Sequence, residues 1–132
     1  MANYDAWSRS SYFRVKDEQA FRAAFEDYDV EIVGKAQDDS VDESGLVALL
    51  NNEDGGWPSF GEDENQDVGD VVAPHLAEGW VAVFMEAGHE KLRYVIGYAF
   101  AVNGANERRA VGLTEIYERA GELGSNVTEA EY

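Results

Sequence analysis

"GWVAVFMEAGHEKLRYVIGYAFAVNG", residues 79–104, decides the fold. Two runs rich in β-branched and aromatic residues flank "AGHEK" (87–91), a pattern that predicts a β-hairpin with a loop of about four or five residues. In the second run Leu92, Tyr94, Ile96, Tyr98, Phe100 and Val102 alternate with Val95, Gly97, Ala99 and Ala101. Apolar residues at both phases of a period of two predict a central strand covered on both faces, and the small residues of the second face leave room for a helix backbone.

Downstream, "NGAN" (103–106) reads as a turn and "ERRAV" (107–111) as a last strand. Thr114 then caps a predicted helix "EIYERAGELG" (115–124), with Leu113, Ile116, Ala120 and Leu123 on one side and Gly124 just past its end. Upstream, "VGDVVAPHLAEG" (68–79) predicts a short helix ending near Gly79, and "WPSF" (57–60) an edge segment, since proline has no donor for an inner ladder. "GLVALLN" (45–51) and "VEIVGK" (30–35) read as strands, "NEDGG" (52–56) as a turn, and the polar stretch 36–44 as a loop. "KDEQAFRAAFEDYD" (16–29) has Asp17 as N-cap and Phe21, Ala24, Phe25 and Tyr28 at helical spacing. "SSYFRV" (10–15) reads as the strand before it. The order β-α-β-β-α-β-β-β-α predicts an α+β fold: a mostly antiparallel sheet of about five to six strands with two to three helices.

At 132 residues, 45% of them hydrophobic, the chain has the length and apolar content of one folded domain over 1–132, with 125–132 expected as a loosely ordered tail. No apolar run approaches the roughly 18 residues that cross a bilayer, and "MANYDAWSRSSYF" (1–13) lacks the pattern of a signal peptide. A cytoplasmic location is the expectation. Zero cysteines removes disulfides, thiolate metal sites and thiol nucleophiles together.

The formal net charge is −17, and its distribution is uneven. Between Lys35 and Lys91 there is no Lys or Arg, but there are 14 acids; the other 77 residues hold 13 acids against 10 bases. The densest stretch is "FGEDENQDVGD" (60–70), five acids in eleven positions. Such a surface repels nucleic acid and anionic membranes, so neither is expected to bind directly.

Few residues suggest catalysis. Asp63, Asn65 and Asp67 have the alternate spacing of a calcium loop, yet the sixth and twelfth places hold Val68 and Pro74 where that loop needs glycine and glutamate. His75 and His89 have no partner at metal-ligand spacing, and no nucleophile elbow, P-loop or dinucleotide fingerprint occurs. The expectation is a non-enzymatic protein with no cofactor and no metal. A weak calcium or magnesium site at 63–67, serving a small metal-dependent hydrolase, is the minor alternative.

Three readings of the acids compete. They keep the protein soluble around a generic interaction module; they solvate a disordered linker, against which stands the core-like content of "GLVALL", "WPSF" and "DVVAPHL"; or they imitate a nucleic-acid backbone. Duplex DNA shows about one charge per 1.7 Å of axis, and a groove of Lys and Arg that neutralises it also accepts carboxylates held at similar density. On this last reading the partner is a basic nucleic-acid-binding protein or effector complex, occluded by Asp38, Asp39, Asp42, Glu43, Glu53, Asp54, Glu62, Asp63, Glu64, Asp67 and Asp70, with Trp57 as a candidate anchor. The chain itself is expected to be a monomer or weak homodimer, joined through an exposed sheet edge or Trp57.

Three segments carry a resemblance: "SSYFRVKDEQAFRAAFE" (10–26), "EKLRYVIGYAFAVN" (90–103) and "LTEIYERAGELGSNVTEAEY" (113–132) resemble small acidic proteins of bacterial phages, plasmids and integrating elements. The resemblance implies a mobile-element setting, in which anti-restriction and anti-CRISPR proteins that act as nucleic-acid mimics are common. It implies no activity and no functional residues.

Overall fold

The computed structural model describes residues 4–34, 45–51, 56–90 and 94–130. They form one antiparallel seven-stranded sheet: β1 (Tyr4–Ser10), β2 (Phe13–Arg14), β3 (Val30–Gly34), β4 (Leu46–Asn51), β5 (Ala82–Glu90), β6 (Tyr94–Val102) and β7 (Arg108–Gly112). Three short α-helices accompany it: α1 (Glu18–Ala24), α2 (Val68–Val72) and α3 (Ile116–Ala120). The fold is α+β, with slightly more strands than the five or six expected. No described helix is long and apolar enough to cross a membrane.

The additional strand is β1. Its buried side chains are Ala6, Ser8 and Ser10, too small and polar to read as a core strand, yet it pairs with β5 along its whole length from Tyr4↔Glu90 to Ser10↔Phe84. Two serine hydroxyls carry the chain through the break before β2. Ser10 Oγ accepts from Leu49 N–H at 2.8 Å, and Ser11 Oγ accepts from Val83 N–H at 3.0 Å, so backbone donors on both neighbouring strands stay satisfied where the ladder is interrupted. Val47 pairs with both Phe13 and Gly34, which puts β3 on one edge of β4 and the β1/β2 strand on the other.

β5 and β6 pair from Ala82↔Val102 to Glu90↔Tyr94, so His89 lies in β5 opposite Val95 and not in the hairpin loop. α1 begins where Asp17 accepts from the Gln19 and Ala20 amides, as its sequence predicts. α2 stops at Val72 and tightens into a 3-10 turn over Ala73–His75, where Pro74 cannot supply the next helical donor; the helix does not run on to Gly79. α3 stops at Ala120 with Gly121 as its C-cap, before Leu123 and Gly124.

The core lies between one face of the sheet and α1 with α2. Phe13, Phe21, Val47, Leu49, Val68, Val72, Phe84 and Val102 are fully buried there. Its rings meet edge to face: Phe21 stands 5.7 Å from Phe13 and 5.1 Å from Phe25, and Phe25 stands 5.6 Å from Phe60. α1 and α2 leave the opposite face open, and the 3-10 turn Leu113–Glu115 reaches it at Gly97. Trp7 there is 89% exposed, Val95 79% and Met85 56%, so β6 is covered on one face rather than two. Leu113 alone fills the space that Gly97 leaves: a Cβ at Gly97 would come within 2.8 Å of Leu113 Cδ1.

Candidate functional site

The stretch 60–70 folds as a tight loop leading into α2, on the core side of the sheet. Phe60 and Gln66 close it by exchanging backbone hydrogen bonds of 2.8 and 3.0 Å. Inside that closure Glu64 N–H reaches the Gly61 carbonyl at 3.1 Å, and both Gly61 (φ 90°) and Glu64 (φ 52°) take left-handed backbone. Phe60 roots one end in the core and Val68 the other, while the Tyr28 hydroxyl accepts from Gly61 N–H at 3.2 Å. A loop held at both roots presents Glu62, Asp63 and Glu64 outward, all three exposed and with no cationic partner among the described residues.

Asp67 and Asp70 are placed differently. Asp67 caps α2: its Oδ1 accepts from Asp70 N–H at 2.9 Å, and Asp70 Oδ2 accepts from Asp67 N–H at 3.0 Å, a capping box closed by aspartate. Arg108 on β7 grips both oxygens of Asp67, donates to Asp70 Oδ1 at 3.0 Å, and lies 5.2 Å over the Phe100 ring. The hydrogen bond from Arg108 holds the Asp67 carboxyl below its usual range, against the opposing effect of partial burial. These two acids thus fasten α2 to the sheet and share one guanidinium there, so the cation-free cluster expected across 60–70 contracts to Glu62, Asp63 and Glu64. Asp38, Asp39, Asp42, Glu43, Glu53 and Asp54 lie outside the described residues.

Trp57, the candidate anchor, is half-buried: its ring packs edge-on against Phe84 at 5.6 Å. Its backbone N–H leads to a group absent from the sequence-based site. Glu86, 6% exposed, accepts from Trp57 N–H at 2.8 Å and from Ser8 Oγ at 3.2 Å. Gly56 permits this approach, since a Cβ at that position would overlap the Glu86 carboxylate. Burial, and then the adjacent Glu86 charge and hydrogen bond, push the Tyr98 phenol up to about 12. The signal for Glu86 is the alternation Ala82, Phe84, Glu86, which turns the carboxylate to the core face of β5.

Asp67, the third residue of the calcium-like spacing, spends both oxygens on Arg108, and among the described residues no group of three His, Asp or Glu stands close enough to hold a metal ion. His75 is half-buried with its ring 5.7 Å from Phe21, and His89 Nε2 lies 4.0 Å from Asp5. Burial and then the Lys16 charge lower the His75 pKa.

Compared with protein-family models, curated proteins and solved structures, the chain shows no significant match to any of them.

Proposed function

We propose that this is a non-enzymatic acidic binding protein that occupies the basic groove of a nucleic-acid-handling protein and excludes its substrate. The reading rests on the loop 60–66. Three consecutive carboxylates at its tip are held by a closed backbone bridge and by Phe60 in the core, so they meet a partner already ordered and lose little conformational freedom on binding. Further acids of the same side of the sheet, Glu26, Asp27 and Glu78, are exposed. An anti-restriction or anti-CRISPR role follows only from the segment likeness to mobile-element proteins. A second reading, a protein-interaction module whose acids serve solubility, is favoured by the uncovered apolar face of the sheet.

The test is charge reversal at positions whose side chains make no structural contact. The Glu62→Lys, Asp63→Lys, Glu64→Lys variant is compared with wild type in capture from a bacterial lysate, with duplex DNA as competitor. The proposal expects wild type to retain a nucleic-acid-binding protein that DNA displaces, with retention weakening steeply as salt rises, and the variant to lose it at least about tenfold. Equal retention by the variant, or a partner indifferent to DNA, overturns it.

A further inference from the structure

The bare face of the sheet and the C-terminal segment are two apolar surfaces left uncovered in the same chain. On the sheet, Trp7, Met85, Ala99 and Val111 border a broad depression of about 780 Å³, which Leu113 of the same chain also lines, and Val95 stands exposed on the same face. In the C-terminal segment Leu113 and Ile116 are more than half exposed and Leu123 is 93% exposed, while α3 buries no side chain. Ala130 N–H donates to the Tyr117 hydroxyl at 2.8 Å, which folds the tail back onto α3.

Charge separates the two surfaces. Among the described strand residues, this face carries Arg9 and Arg109 beside the depression, and its acids are Asp5, facing His89, and Glu31 at the far edge. In a protein of net charge −17, the described strand residues of this face carry no excess of acid. Residues 115–129 instead carry Glu115, Glu118, Glu122 and Glu129 against Arg119. An arginine-bearing apolar sheet and an acidic segment with exposed apolar residues are complementary, and the chain supplies both.

We infer that two copies of this chain associate through their bare sheet faces, each laying its C-terminal segment, residues 116–127, against the other's sheet. Area decides that the segment takes part. Four strands about 4.8 Å apart and about seven residues long present only about 450 Å², short of the roughly 800 Å² per partner of a stable interface. The sheet alone is too small, and the segment supplies the remainder. A two-fold arrangement satisfies both copies at once, because each presents the same sheet and the same segment. It also turns Glu62, Asp63 and Glu64 outward on both copies, away from the contact, so the association is independent of the acidic-loop reading.

Sedimentation of the full chain at about 0.15 M and about 0.5 M salt tests this, together with tryptophan emission across a dilution series. Wild type is expected to sediment as a dimer at both salt concentrations, since screening weakens the repulsion between the two acidic chains as well as the attraction between arginines and glutamates, and tryptophan emission is expected to shift to shorter wavelength as the dimer forms and covers Trp7. Two variants change only exposed side chains: Met85→Asp with Val95→Asp on the sheet, and Ile116→Asp with Leu123→Asp on the segment. Each should raise the dimer Kd at least about tenfold while far-UV circular dichroism and the melting transition of the monomer stay unchanged. A wild type that remains monomeric at about 0.5 M salt overturns the inference, as does a dimer that survives either pair of substitutions. The lysine variant of the acidic loop should dimerise no less tightly than wild type, which keeps this result separate from failure of the proposed function.

Discussion

The two faces of one sheet have had different fates. On β5, Ala82, Phe84 and Glu86 are buried beneath α1, α2 and the 57–60 turn, whereas Met85 and Ala87, one residue out of phase, are exposed on the other side. Both phases of β6 are apolar, so side-chain character does not separate them. Helix supply does. The described helices span only seven, five and five residues, and α1 and α2 are both used on the same side. A sheet of seven strands with helix enough for one layer keeps one apolar face, and such a face has value to a protein only when something covers it.

The largest expected effect sets the two faces against each other directly. Phe84→Ala removes a ring packed between Trp57 and Phe100 and should cost about 3–5 kcal/mol, while Met85→Ala, its neighbour in sequence, should fall within about 0.5 kcal/mol. Urea unfolding in the Ile116→Asp, Leu123→Asp background makes the comparison with self-association weakened. Comparable losses at the two positions would mean that something covers both faces.

A smaller effect is expected at Glu86, the charged group on the packed side. Glu86→Gln keeps an acceptor for Ser8 and the Trp57 amide but removes the charge beside Tyr98, at a cost of about 1 kcal/mol. The Tyr98 phenol should then ionise below its present value of about 12, though not as low as its ordinary value of 10.0, because burial is the larger cause of the shift. The sign follows from proton binding: a folded phenol that holds its proton longer than the unfolded one gives stability that is complete below pH 10 and is lost as pH rises towards 12. The variant should lose less stability over that range. NMR titration of the Tyr98 ring reads the shift, and an unmoved midpoint would separate Glu86 from the phenol.

What could be read from the sequence tracks how local each signal is. The N-cap at Asp17, the strands at 30–34 and 46–51 and the pairing of β5 with β6 rest on short-range spacing, and all appear in the fold. β1 does not announce itself, because its inward residues are Ala6, Ser8 and Ser10 and its largest side chain, Trp7, points away from the core. The face left bare is equally hidden: Gly97, Ala99 and Ala101 permit a helix to approach but cannot supply one. At the candidate site, three adjacent acids at a loop tip were legible from composition alone. The pairing of Asp67 and Asp70 with Arg108 was not, because that arginine lies about 40 residues away and arrives only when β7 joins the sheet. For the same reason Trp57 stands in the sequence only as a candidate anchor, while its position against Phe84 depends on a contact with a distant strand.

The smallest expected effect concerns the boundary between structural and free acids on the packed side. Asparagine caps helices about as well as aspartate, so Asp67→Asn retains the α2 cap and removes only the charge that Arg108 grips. The Asp67 carboxyl is about half exposed, and solvent screening therefore limits the pair to about 1 kcal/mol or less. Because its folded pKa is lowered below 3.8, that contribution is present above pH 3.8 and is lost as the pH falls through the lowered value. Wild type should thus exceed the variant in urea midpoint at neutral pH, with the gap closing as the solution is acidified and narrowing in high salt. A gap that persists at about pH 2 would trace the loss to helix geometry rather than charge. Lysine at Glu62, Asp63 and Glu64 should leave the same midpoint within about 0.5 kcal/mol, since these carboxylates support nothing in their own chain and stand free for a partner.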